Sequence, residues 1–88
     1  MTQRNARDVL NESFLEMRAK LLEVAASLDR IEGADGGDQL GSRSADPQRS
    51  AIDQAIRIVG SGESHRAARL QLLFSREYHD DWRDQMQL

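Results

Sequence analysis

Leu10, Phe14, Met17, Leu21, Val24, Leu28 and Ile31 follow one another at intervals of 4, 3, 4, 3, 4 and 3 residues. On a helix, steps of three and four return each side chain to the same face, so this run predicts an apolar seam three heptads long. The pattern places a first helix at about 5–32. Gly33 is a natural stop, and Arg30 lies near the negative end of the helix dipole. Leu15, Leu22 and Ala25 lie beside the seam and widen the apolar arc. A two-stranded coiled coil needs only the narrow stripe, whereas a wide arc suits a helix touching two or more neighbours.

The seam ends where the glycines begin. Residues 33–46 hold four of the six glycines and read as a flexible connection. Asp46 followed by Pro47, the single proline, is a strong helix start: a capping carboxylate ahead of a residue with a preset helical φ. The second helix is predicted over about 47–59. Ile52, Ala55, Ile56 and Val59 form its buried face, and Asp53 and Arg57 pair at i,i+4 on the outside. Gly60 ends it, and residues 60–64 read as a tight turn. A third helix is expected over about 64–85. Its inner face is Ala67, Leu70, Leu73 and Phe74, continued in steps of four by Tyr78, Trp82 and Met86. A break at Ser75 is the alternative to one continuous helix. No alternating run argues for a strand. The fold class is therefore all-α: a long N-terminal helix with two shorter ones, a helical hairpin or three-helix unit that forms a bundle by self-association.

Helix length is the reason to expect a partner. At 1.5 Å per residue the first helix is about 42 Å long and the second about 20 Å, so the second covers about half of the seam. A chain of 88 residues and 9.9 kDa has little stability to spare. A compact monomer with a frayed N-terminus is the alternative. Pairing of two copies along the first helix, a homodimer of two-fold symmetry, is the arrangement preferred here. The self-association seam is Leu10, Phe14, Met17, Leu21, Val24, Leu28 and Ile31.

Composition narrows the chemistry. Charged residues make up 31% and hydrophobic residues 39%, with a mean hydropathy of -0.67. The absence of cysteine excludes disulfides, thiolate metal sites and a cysteine nucleophile, and fits a reducing compartment. No apolar run approaches the roughly 20 residues needed to span a bilayer, and residues 1–8 lack the apolar core of a signal peptide. A cytoplasmic protein without membrane contact is expected. Net charge is -3, and no segment is basic, so the electrostatic footprint of a general nucleic-acid binder is missing. Arginine far outnumbers lysine, which would suit bidentate anion recognition; GC-biased coding is the plainer cause.

Each candidate constellation has a plain counterpart. Asp8, Glu12, Glu16 and Glu23 share a side of the first helix, but none of the glutamates begins a Glu-x-x-His motif, and Lys20 neutralises Glu16. A solvated face is the reading. His65 and His79 would lie about 21 Å apart on a continuous helix and cannot share a metal within one chain. No nucleophile elbow and no phosphate-binding glycine loop occurs, and Asp35 and Asp38 would repel phosphate. Residues 47–74 can be read as a helix-turn-helix whose second helix opens with His65, Arg66 and Arg69. Glu63 in the turn and the acidic chain weigh against it. Tyr78, His79, Trp82 and Arg83 are of the types that concentrate in binding hot spots and form a possible partner surface. The sequence thus reads as a non-enzymatic interaction or adaptor module without catalytic residues, cofactor or metal. The alternative is a helix-turn-helix nucleic-acid binder.

Overall fold

The computed structural model describes residues 4–75. Helix α1 spans Ala6–Gly33, a 3-10 turn follows at Gly37–Gln39, and helix α2 spans Pro47–Val59. Helix α3 occupies 66–75 and packs with α2. No strand occurs among the described residues. The part of the third helix expected beyond Ser75, and whether it breaks there, lie outside them.

Local chemistry sets the ends of each element. The Asn5 side chain accepts from the backbone N–H of Asp8 at 2.9 Å and caps the N-terminus of α1. That satisfies one of the donors a helix leaves orphaned. Gly33 is the last helical residue rather than a left-handed cap. Ala34 follows it in extended geometry, and its N–H returns to the carbonyl of Ile31 at 3.3 Å. The reversal comes three residues later, where Gly36 takes φ 82. α2 opens with Asp46 accepting from the Arg49 N–H at 2.9 Å and Pro47 in the first turn. Gly60 closes it by donating to the Ile56 carbonyl at 3.0 Å.

The 33–46 connection is more than a Gly-rich tether. Gly37 is buried against the last turn of α1, and a Cβ there would fall 2.4 Å from the carbonyl oxygens of Ile31 and Glu32. Those are backbone atoms, so nothing flexible can yield. Gly37→Ala is therefore expected to lower stability by about 1–3 kcal/mol, the usual cost of forced overpacking. A thermal melt followed by circular dichroism checks this, with Gly33→Ala as the control, because nothing lies within 4 Å of a Cβ at Gly33.

The core is small. Among the described residues the buried hydrophobic side chains are Ala51 and Ala55, and the one buried charged residue is Arg49, 6% exposed. The inner face of α2 differs from the sequence expectation. Ile52 and Ala55 do lie inward, but Ile56 and Val59 are exposed, and Ala51 and Ile58 take their place. Burial of Arg49 near the start of α2 accounts for the rotation, since its side chain must face the connection it bonds to. On α3, Leu70 and Leu73 are half-buried, whereas Ala67 and Phe74 are exposed. α1 buries no residue and packs its backbone against the 3-10 turn, not against α2.

Candidate interaction surface and the Arg49 junction

The seam of α1 faces open space over most of its length. Leu10, Phe14, Met17, Leu21, Val24 and Ile31 are exposed, with Leu21 at 60%, and only Leu28 is half-buried. Leu15 and Leu22, beside the seam, are 72% and 55% exposed. Isolated apolar residues on a surface need no explanation, whereas six of them at seam spacing leave an apolar stripe along one face of α1. Around the stripe the charges are solvated. Lys20 meets Glu16 at 3.2 Å, with both side chains about two-thirds exposed or more, a pairing that adds little stability. Ile56 and Val59 of α2 and Leu72 and Phe74 of α3 are exposed as well.

At the C-terminal end of α1 a polar junction joins the two parts of the chain. Arg49 donates from Nε to the Leu40 carbonyl at 2.9 Å, from Nη2 to Glu32 at 3.2 Å, and from Nη1 to Asp53. One planar guanidinium thus ties the end of α1, the connection and α2 together, a task its fixed fork of donors suits. The second oxygen of Asp53 accepts the backbone N–H of Arg43 at 2.9 Å, and Arg43 adopts φ 68 to deliver it. This pairing replaces the one expected from spacing. Asp53 meets Arg49, on the preceding turn, and Arg57 contributes only its charge nearby. Asp53 is consequently only partly exposed, not on the outside. Every buried side-chain polar atom among the described residues has a partner.

The Asp53 carboxyl is held below its usual range, chiefly by the Arg43 N–H, with partial desolvation opposing and the hydrogen bond and charge of Arg49 and the charge of Arg57 reinforcing. A carboxylate whose native pKa is depressed contributes stability above its unfolded value, and that contribution is lost as pH falls through the native one. Melting temperature should therefore decline on acidification below about pH 4. Asp53→Asn should flatten the decline while lowering stability at neutral pH. An unchanged acid limb in Asp53→Asn would remove Asp53 from the account.

The turn between α2 and α3 bears on the helix-turn-helix expectation. Arg66 donates to the Ser61 carbonyl through Nε, at 3.2 Å, and through Nη2. Arg69 lies 3.4 Å from both Ser61 Oγ and Glu63. The two arginines expected to open a recognition helix are thus folded back onto their own turn. His65, which precedes α3, takes φ 62. Among the described residues no group of three or more His, Asp or Glu side chains is placed to hold a metal, and no helix is long and apolar enough to cross a membrane. His79 and the surface expected from Tyr78, Trp82 and Arg83 lie outside the described residues.

Arg49, Glu32, Gly37 and Arg43 were not singled out by the sequence pattern. A signal existed for one pair, since Arg49 and Asp53 are four apart on α2. Asp53 and Arg57 have the same spacing in the favoured order, acid before base. Only the reach of Arg49 to Leu40 and Glu32, seventeen residues back in the chain at its far end, decides between them.

No protein family, curated protein or solved structure matches this chain. Fold and site together define an all-helical chain with a long, apolar-striped helix joined to a small helical pair through an ionic junction.

Proposed function

We propose that this protein is a non-enzymatic, self-associating interaction module, and that α1 pairs with the α1 of a second copy to form a homodimer. The observation that carries this reading is the exposure of six of the seven seam residues on a helix with no fully buried residue. The regularity of the seam favours a helical occupant, because a 3–4 repeat presents knobs and holes to another helix of the same repeat. A second copy is the occupant that always carries that repeat. Each exposed Leu- or Phe-sized side chain contributes about 1.5–3 kcal/mol when moved from full exposure to full burial. The absence of cysteine suits a reducing, cytoplasmic setting.

A nucleic-acid role for residues 47–74 gains less support, because Arg66 and Arg69 are engaged with the 61–63 turn. A gel-shift titration separates the two readings. The module reading expects no retardation of random or genomic duplex DNA at low salt. A shift that weakens steeply as salt is added would overturn it in favour of nucleic-acid binding.

A further inference from the structure

We infer that the two copies of α1 pair antiparallel, with residue i of one chain opposite residue 45 − i of the other. This rests on the self-association proposed above and fixes its register. In this register Phe14 meets Ile31, Met17 meets Leu28 and Leu21 meets Val24, so each of these layers joins a longer side chain to a branched or differently shaped one, while Leu10 falls across from Asp35, beyond the end of the partner α1 and outside the layers. At the flanking positions, where the paired numbers sum to 43 on one side of the seam and 47 on the other, no like charges meet: Arg18 lies across from Ala25, Asn11 from Glu32, and Lys20 from Ser27. One heptad away, with i opposite 38 − i, Arg18 would face Arg18 and Lys20 would face Lys20.

The parallel alternative is worse at three places. It stacks Leu21 and Leu28 at a positions with Val24 and Ile31 at d, the reverse of the arrangement that favours two strands. It sets Arg7 against Arg7 one turn before Leu10. It also places the two acidic 33–46 segments, each carrying two net negative charges, at the same end. Antiparallel pairing instead brings Arg7 toward the partner copy's turn, which holds Asp35 and Asp38 just beyond the end of α1. Opposite charges across an interface select orientation and suppress the wrong register.

The lack of native cysteine makes disulfide mapping direct. The probe is the full chain carrying Met17→Cys and Leu28→Cys together, beside a second chain carrying Leu28→Cys alone, each oxidised under native conditions. In the inferred register, residues 17 and 28 of opposite chains face one another at the same height, which leaves about 4–6 Å between their Cα atoms for helix axes about 8–10 Å apart, whereas two copies of residue 28 are about 16 Å apart along the axis, as are residues 17 and 28 of one chain. Disulfides do not span Cα separations beyond about 7 Å. The double variant should convert to linked dimer and Leu28→Cys should stay at one chain. Linking of Leu28→Cys, or failure of the double variant to link while it sediments as a dimer, overturns the register and leaves self-association standing. A monomeric mass for both variants and for the unaltered chain overturns both. Circular dichroism before oxidation verifies that each variant keeps its helices.

Discussion

Leu21→Asp should convert the assembly to single chains. Leu21 sits at the centre of the seam, 60% exposed in the single chain, with apolar neighbours one turn to either side at Met17 and Val24–Ala25. A carboxylate there loses the burial of two leucines per pair and sets an unpaired charge into each copy's half of an apolar contact. Scaled to that exposure, the lost burial alone amounts to about 2 kcal/mol or more per pair, so the dissociation constant should rise by at least about twentyfold. Helix content should fall with it, because helical stability in proteins comes mainly from packing of an apolar face rather than from propensity. Leu21→Ala should weaken association in the same direction by less. Asp substituted for exposed Glu16, off the seam, should change neither mass nor melting. If Leu21→Asp sedimented and melted like the unaltered chain, the seam would have no role in association.

Arg49→Met should produce the second large effect, and a different one. The substitution keeps an apolar stem of similar length but removes the guanidinium donors of the junction and leaves only the Arg43 N–H on Asp53. The Leu40 carbonyl loses its partner, and Asp53 and Glu32 lose their cation. A buried group left without its hydrogen bond costs about 1–3 kcal/mol, and charged partners add to that. In a chain of this size each kcal/mol moves the melting temperature by about 4–8 °C, so a fall of roughly 10 °C or more is expected. Because α1 and α2 meet through this ion pair, the orientation of α1 relative to the helical pair should loosen as well. Arg49→Lys restores charge without the planar fork and should recover only part of the loss. Full stability in Arg49→Met would reduce the junction to a surface decoration. The two variants separate cleanly: Leu21→Asp acts on mass, and Arg49→Met on the melting of the 33–75 unit.

The helices themselves were legible because their signals are local. The Asp46–Pro47 start, the glycine at 60 and the 4–3 seam each act within one or two turns, so short-range chemistry suffices to place them. The seam was legible as a stripe for the same reason. What the pattern missed depends on tertiary contact. Ile56 and Val59 have the spacing of a buried face, but two alanines and an arginine occupy the inside of α2. Small side chains permit close approach and leave no hydrophobic mark in the sequence. Arg49 reads as one exposed cation among many until the connection folds over it. Gly33 has the position of a helix cap, but the chain continues its helix through it and turns at Gly36, after which Gly37 donates its N–H to the Ala34 carbonyl and lies too close to the carbonyls of Ile31 and Glu32 for any side chain.

Sedimentation equilibrium of the full, unaltered chain tests the central claim most directly. At tens of micromolar protein, the account predicts a mass of twice 9.9 kDa. A single species at 9.9 kDa over that range would contradict it, because the apolar stripe of α1 would then stand in water without a second copy to cover it.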